Sequence, residues 1–166
     1  MIRQLEPDDA VELAALLTAN RTFLTPFEPD RTDEFYTAAY QRERCAALGE
    51  DHWRWAIVEH GRIVGMVSLA DVLRGALQMG NVGYWVDRDC NGRGLATAAV
   101  RDVVEFAFSE AGLHRLEAGT LVDNRASQRV LEKNGFERFG LARKLLRING
   151  EWRDHVLYER IAGSKY

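Results

Sequence analysis

A glycine-rich segment in the middle of the 166-residue chain has the composition of an anion-binding loop. Residues 91–97 read Asn-Gly-Arg-Gly-Leu-Ala-Thr and lie between a predicted strand and a predicted helix. Gly92 and Gly94 let the backbone approach a ligand without a Cβ clash, and Arg93 adds a donor. The unpaired N–H groups at a helix N-terminus favour a phosphate. The alternative is an ordinary strand-to-helix turn whose glycines serve packing.

Two common phosphate-binding patterns do not fit this loop. The Walker pattern G-x-x-x-x-G-K-[ST] is absent from the sequence. The dinucleotide fingerprint requires a third glycine or alanine at the position where Thr97 stands. The loop by itself therefore predicts a generic anion site.

A second polar segment, residues 124–136, reads as a helix that begins at Asn124 and stops before Gly135. The Asn124 amide could cap this helix or bind an amide-bearing ligand. Ser127 lies three residues further on and therefore on the same helix face. The alternative is a plain N-cap followed by an exposed serine.

Composition limits the classes of function that the chain could serve. Its 25 acidic and 22 basic residues nearly balance, which argues against a protein that coats nucleic acid. The sequence shows no signal peptide and no apolar run of membrane-spanning length, so it predicts a cytoplasmic protein. Cys45 and Cys90 lie far apart, so we expect free thiols and no metal site.

The elements needed to position these segments are found along the whole chain, which has the length of a single domain, residues 1–166. Hairpin turns are predicted at His60-Gly61 and at Asn149-Gly150. Strands are predicted at 2–5, 53–59, 62–69, 81–87, 113–122, 136–148 and 151–161, and helices at 7–19, 30–48 with Gly49 as cap, 94–110 and 124–134. The predicted class is α/β (α+β), with a mixed, mainly antiparallel sheet of seven strands and four helices.

The sequence resembles the GNAT acetyltransferases over essentially its whole length. Residues 91–96 resemble the signature Q/R-x-x-G-x-G/A of that family, with Asn91 in place of the usual Gln or Arg, and residues 124–136 resemble its second cofactor motif. The chain is most similar to the RimJ/RimL type, which acetylates the N-termini of ribosomal proteins. This narrower resemblance lies in Asn20-Arg21, Pro26-Phe27, residues 83–86, residues 124–127, Asn149-Gly150 and Asp154-His155.

The resemblance implies acetyl-CoA as cofactor. The pantetheine arm would enter a gap between the strand that ends near Val86 and the strand at 113–122. The pyrophosphate would rest on the amides of the glycine-rich loop. The implied cofactor-binding residues are Trp85, Val86, Asn91, Gly92, Arg93, Gly94, Leu95, Ala96, Thr97, Asn124 and Ser127.

The resemblance also implies direct transfer of acetyl from sulfur to an amine. The N–H of Val86 would polarise the thioester carbonyl, and Ser127 would protonate the leaving thiolate. Many GNAT enzymes use a tyrosine at the position of Leu131 for that step, and RimL-like enzymes carry a candidate glutamate base where Leu146 stands here. The base therefore stays open among Tyr84, Asp154, His155 and a water chain, and Tyr84 and Ser127 are the catalytic candidates.

Residues 20–29 are predicted to form part of the acceptor wall. Phe23, Leu24 and Phe27 would either form a binding rim or pin the loop to the core, and the four tryptophans are predicted to lie in the core or line a cleft. The favoured acceptor is a protein N-terminal amine. The alternatives are a small-molecule amine acetyltransferase and a non-catalytic acyl-CoA-binding module, and the sequence leaves a homodimer undecided.

Overall fold

The fold is a seven-stranded sheet covered by helices on both faces. The computed structural model describes residues 1–47, 49 and 51–163. In chain order the elements are β1 Ile2–Gln4, a 3-10 turn Pro7–Asp9, α1 Ala10–Leu24, a 3-10 turn Asp33–Tyr36, α2 Ala38–Ala46, β2 Trp53–Glu59, β3 Arg62–Leu73, β4 Met79–Val86, a 3-10 turn Arg88–Cys90, α3 Leu95–Ser109, β5 Arg115–Leu121, α4 Arg125–Lys133, β6 Glu137–Ile148 and β7 Glu151–Ile161. The predicted class and order of elements are confirmed.

The sheet has the strand order β1-β2-β3-β4-β5-β7-β6. Among the described strands only β4 and β5 run parallel, and they pair over just three positions, from Met79–Arg115 to Asn81–Glu117. Beyond Asn81, β4 continues to Val86 and β5 continues to Leu121 without pairing to each other. The two strands therefore open a gap in the middle of the sheet.

Alternate residues of β4 face two separate cores, as expected for a strand covered on both sides. Val82 and Val86 are buried with α3, and Tyr84 packs against the same cluster. Trp85 points the other way and is buried with Leu13 and Leu17 of α1. Val82, Tyr84 and Val86 therefore share one face of β4, and the two faces of the sheet at this strand border different cores.

Backbone geometry at both predicted hairpin turns agrees with the sequence. His60 and Gly61 have φ of 50° and 77°, and Asn149 and Gly150 have φ of 50° and 80°. Positive φ at both central residues is the mark of a type I′ turn, which matches the twist of the flanking strands. Both turns are therefore confirmed.

The predicted boundary between the first helix and the following loop is wrong. The sequence predicts an end at residue 19, whereas α1 runs to Leu24. Asn20 looked like a loop residue, but it is buried, with its Nδ2 donating to Leu16 O at 3.0 Å and its Oδ1 accepting from Arg88 N at 2.9 Å. Because both ends of the amide are satisfied, the helix continues past it and joins the segment after β4.

The second predicted helix is divided in two. Thr37 is extended, with φ of −86° and ψ of 148°, and its Oγ1 accepts from Tyr40 N, so it caps a new helix, α2. Gly49 does not cap that helix, because α2 ends at Ala46 and the N–H of Ala47 donates to Glu43 O. Gly49 instead exchanges two backbone hydrogen bonds of 3.1 Å with His52. The predicted end at Leu48 lies outside the described residues.

Candidate active site

The glycine-rich loop has the geometry of an anion cradle. Gly92 and Gly94 have φ of 77° and 80°, a region that residues with a Cβ rarely adopt. The first bond of α3 runs from Ala98 N to Gly94 O. The main-chain N–H groups of Leu95, Ala96 and Thr97 precede that bond, as the first N–H groups of any helix do. Within the described part of the chain they have no acceptor, so they are free for a ligand.

The side chains of Asn91 and Arg93 in this loop form hydrogen bonds with other groups of the protein. Asn91 donates through Nδ2 to the Asp87 carbonyl at 3.1 Å and so shapes the approach to the loop. Arg93 donates to the Glu59 carboxylate at 2.7 Å. The chemistry of the cradle therefore lies in its backbone amides and in the dipole of α3.

The gap between β4 and β5 forms a cleft of about 170 Å³. Its lining combines main-chain groups of both strands with side chains from the end of α1, from α4 and from β7. These residues are Leu24, Phe27, Glu28, Val82, Gly83, Tyr84, Trp85, Ala118, Gly119, Thr120, Leu121, Asn124, Ser127, Leu131 and His155. Four sequence-predicted residues, Tyr84, Trp85, Asn124 and Ser127, are thereby brought together.

The N–H of Val86 points into the gap rather than into the sheet. Asp87 N donates to Val64 O at 2.7 Å, and Val86 is paired with Gly65. In an antiparallel ladder, the N–H groups of successive residues alternate between the partner strand and the opposite side. The Val86 N–H therefore faces away from β3, where it could polarise a carbonyl in the cleft.

Tyr84 and Ser127 form a hydrogen-bonded pair in this cleft. The Tyr84 hydroxyl lies 2.8 Å from Ser127 Oγ, and either group can donate; it also lies 3.0 Å from the Ser127 carbonyl. Burial raises the pKa of Tyr84 to about 12, although the bond to Ser127 offsets part of that rise. Tyr84 therefore keeps its proton at neutral pH, which suits a proton donor rather than the base that the sequence left open.

Ser127 is positioned by two amide side chains of the β5–α4 connection. Asn124 Oδ1 accepts from Ser127 N at 3.1 Å, so Asn124 caps α4. Gln128 is buried and donates to the carbonyls of Leu121 and Val122 at 3.2 and 3.0 Å. The cap was one of the two interpretations of Asn124, and its Nδ2 has no acceptor among residues 1–47, 49 and 51–163. The role of Gln128 was missed, because its acceptors are main-chain groups of another element.

Two titratable side chains lie on the other side of the cleft. His155 is buried, and its Nδ1 lies 3.1 Å from the Arg153 carbonyl. Because a carbonyl can only accept, Nδ1 carries the proton in this contact. Glu28 lies at the end of α1, and burial raises the pKa of its carboxyl while Arg31 and Arg44 oppose that rise. Glu28 was missed, since nothing in its local sequence reveals the cleft.

The base candidate Asp154 and the motif position Leu146 lie outside the cleft lining, whereas Leu131 is part of it. Asp154 accepts from Lys144 N at 2.8 Å and stabilises the irregular β6–β7 pairing. Leu146, where related enzymes carry a glutamate, is 40% exposed on β6. Leu131, where many carry a tyrosine, is fully buried and contacts the cleft. Neither leucine can transfer a proton.

One side of the cleft carries apolar residues, and a second cavity shares Glu28 with it. Leu24 is buried and pins the segment, whereas Phe27 is 43% exposed at the cleft. The second cavity, of about 250 Å³, is lined by Arg21, Thr25, Glu28, Pro29, Asp30, Arg31 and Tyr36. Leu24 and Phe27, from the predicted acceptor wall at residues 20–29, line the cleft, and their role in acceptor binding stays a prediction.

Of the tryptophans, Trp55 and Trp85 are buried and Trp53 is half-buried. Trp152 is 61% exposed on the β6–β7 hairpin, so the expectation of a core or cleft position is wrong for this residue. Trp152 lies beside the Asn149-Gly150 turn, where most of its side chain is exposed to solvent.

Comparison with known proteins now identifies the family. An acetyltransferase (GNAT) domain model matches residues 1–137. The chain belongs to the GNAT acetyltransferases. Among relatives of this GNAT protein, the probable N-acetyltransferase YjcK of Bacillus subtilis is 44% identical over 161 residues, covering 93% of this chain and 89% of YjcK.

Solved structures extend the likeness to the whole GNAT fold. The ribosomal-protein-S5-alanine acetyltransferase of Vibrio fischeri has a TM-score of 0.94 and 32% identity, with 98% of this chain and 93% of that chain covered. Mycobacterium smegmatis RimJ, solved with CoA-disulfide, has a TM-score of 0.91 and 30% identity, with 97% and 81% covered. The predicted family and its RimJ/RimL-like character are confirmed.

As a GNAT acetyltransferase, the chain takes its acetyl group from acetyl-CoA. The free amides at the start of α3 fit a pyrophosphate, and the unpaired edges of β4 and β5 fit an arm that carries amides. No helix within the described ranges is both long and apolar enough to cross a membrane.

Proposed function

We propose that this enzyme acetylates the α-amine of a protein N-terminus. The observation that carries the proposal is the likeness, over 98% of the chain, to an enzyme named for acetylating an alanine of ribosomal protein S5. The acceptor side supports it, because the exposed Phe27 and the second cavity extend the binding surface beyond the cleft. A peptide can use that extended surface, whereas a small amine needs only the cleft.

The donor side supports a proton relay from Tyr84 through Ser127. If Tyr84 donates to Ser127 Oγ, the serine hydroxyl can in turn point its own proton into the cleft. The raised pKa of the phenol keeps this proton in place until it is needed. Acetyl-CoA supplies a thioester, whose sulfur requires a proton as it leaves. We propose Ser127 as the immediate donor, Tyr84 as its support and the Val86 N–H as the polarising group.

The cofactor-binding set rests on the loop and the two strands. We propose that residues 92–97 hold the pyrophosphate through main-chain N–H groups, and that Asn91 and Arg93 shape this loop through Asp87 and Glu59. Main-chain groups near Trp85 and Val86, together with the Nδ2 of Asn124, would bind the pantetheine amides.

The test is an acceptor panel with acetyl-CoA, in which release of free thiol is measured. The panel contains a hexapeptide with a free N-terminal alanine, the same peptide with a blocked N-terminus, and small primary amines such as spermidine and free alanine. We expect turnover of the free peptide only, with mass spectrometry locating the acetyl group on its α-amine. Turnover of a small amine with an inert peptide would contradict the proposal and favour a small-molecule enzyme.

A further inference from the structure

Glu28 lies at the boundary between the two cavities. Among the described residues it alone lines both the 170 Å³ cleft and the 250 Å³ cavity beside it. Its backbone is fixed, because Glu28 N donates to Leu24 O at 3.1 Å at the end of α1. Glu28 therefore lies where the two cavities come closest to each other.

The Glu28 carboxylate is free of protein partners. Within residues 1–47, 49 and 51–163 it makes no hydrogen bond or ion pair. The nearby acids are engaged: Asp30 accepts from Gly150 N at 3.2 Å, and Asp33 pairs with Arg21 at 2.7 Å. A half-buried carboxylate without a partner is unfavourable for folding, and a cationic ligand would compensate for that penalty.

One side of the cleft carries groups that can donate a proton, and the other carries a carboxylate that can accept one. Tyr84 contacts the α3 core and reaches Ser127 of α4, which places proton donors on one side. Glu28 follows α1, whose buried residues form the core on the opposite face of the sheet. An amine arriving past Glu28 would thus meet a thioester whose sulfur lies towards Ser127.

We propose that Glu28 binds the acceptor ammonium and accepts its proton. This inference rests on the N-acetyltransferase activity and deepens it. The ammonium gives one proton to the Glu28 carboxylate. The neutral nitrogen then forms a C–N bond as the C–S bond breaks, and the sulfur leaves with its electron pair and gains a proton from Ser127. The second amine proton passes to the Ser127–Tyr84 pair as the amide forms and restores the serine hydroxyl, and Glu28 returns its own proton to solvent.

The charges around Glu28 influence the pKa of its carboxyl, but within the described residues none of them forms a hydrogen bond or ion pair with it. Burial favours the protonated carboxyl, while two nearby guanidinium groups favour the carboxylate. A carboxyl with a raised pKa is a better proton acceptor than an ordinary one. The titratable and charged groups that face it or share its cavities are Arg21, Asp30, Arg31, Tyr36, Arg44, Tyr84 and His155.

His155 is the competing base in the same cleft. Its imidazole is only 4% exposed and is anchored to the Arg153 carbonyl, deep between β5 and β6. Glu28 is preferred because it carries a negative charge that can attract an ammonium before taking its proton. His155 offers no such attraction, so the two candidates differ in their effects on acceptor KM.

The experiment compares Glu28→Gln with Glu34→Gln, a matched control on an exposed 3-10 turn. The acceptor is whichever amine of the panel the wild type turns over fastest, so an inert alanine peptide would contradict only the proposed acceptor. We expect E28Q to lower kcat/KM for the amine by about 100-fold at neutral pH, with a raised KM. E34Q should stay within about twofold.

Two further readouts separate a base from a structural residue. Acetyl-CoA affinity, measured by calorimetry, should be unchanged in E28Q. Its loss of rate should shrink above the amine pKa of about 8, where solvent supplies the neutral amine. E28D should recover part of the rate. An E28Q enzyme with wild-type kcat/KM would overturn the proposal, as would H155Q abolishing the acidic limb of the pH profile while E28Q preserves it.

Discussion

The Tyr84 hydroxyl of β4 lies 2.8 Å from the Oγ of Ser127 at the start of α4. This contact crosses the gap between β4 and β5 and joins two elements that share no main-chain pairing there. Tyr84 therefore supplies a phenol to the cleft although Leu131 occupies the position where many relatives carry a tyrosine. The contact holds the Ser127 hydroxyl next to the phenol.

Removal of the Ser127 hydroxyl should slow turnover without weakening cofactor binding. We expect Ser127→Ala to lower kcat by about 100-fold, because general-acid catalysis contributes at least that much. The matched control is Ser109→Ala, at the exposed end of α3, where Oγ donates to Glu105 O. Unchanged turnover in S127A would remove the proposed acid role.

Tyr84→Phe should lower kcat less than S127A does, because Ser127 would still reach the thiolate. The pKa of Tyr84, at about 12, keeps the phenol protonated well above neutral pH. Wild-type kcat should therefore show no loss from Tyr84 ionisation between about pH 7 and pH 10. A falling limb in that range that Y84F abolishes would contradict this role.

The amide cradle predicts that loop glycines matter more than loop side chains. Gly94→Val should raise the Kd of CoA at least about 10-fold, because φ of 80° is strained for valine and its side chain would crowd the amides. Asn91→Gln should change the Kd far less. Gly112→Val, also at positive φ but outside the loop, controls for strain alone. Equal effects of G94V and N91Q in calorimetry would argue against the cradle.

The Asn124 cap should couple stability to activity. Asn124→Ala should lower the free energy of unfolding by about 1 kcal/mol, the usual effect of losing a helix cap. Because Asn124 Oδ1 accepts from Ser127 N, kcat should fall as well. Asn124→Asp preserves the cap and should recover stability. Urea unfolding and steady-state rates measure the two effects, and a fully active N124A would show that the cap does not position Ser127.

Glu28 should make the stability of the protein depend on pH. Its folded-state pKa is raised, so its contribution to stability is present below the unfolded value of 4.5 and is lost as pH rises through the folded value. E28Q removes that loss. The melting temperature of E28Q minus that of the wild type should be larger at about pH 8 than at about pH 4. A domain of this size shifts by about 2–4 °C per kcal/mol, and an equal difference at both values would contradict the raised pKa.

Local patterns predicted most of the fold and part of the site. The type I′ hairpins at His60-Gly61 and Asn149-Gly150 depend on positive φ, which those residues tolerate, and so they were readable directly. Helix ends were less readable at Asn20 and Thr37. The Asn20 side chain forms hydrogen bonds with main-chain groups, one of which is distant in sequence. Thr37 caps a helix within a stretch whose sequence pattern is helical throughout.

Sequence alone determined the glycine-rich loop, the Asn124–Ser127 spacing and the order of seven strands and four helices, because these depend on neighbours in the chain. It also showed that Leu131 and Leu146 cannot perform the proton transfers of their counterparts. Only the tertiary structure decided which other titratable groups lie at the cleft. Tyr84 reaches Ser127 across the open β4–β5 gap, and Glu28 meets the same cleft from the end of α1. Such contacts join residues far apart in sequence, and burial by the whole fold, rather than any local motif, sets their pKa values.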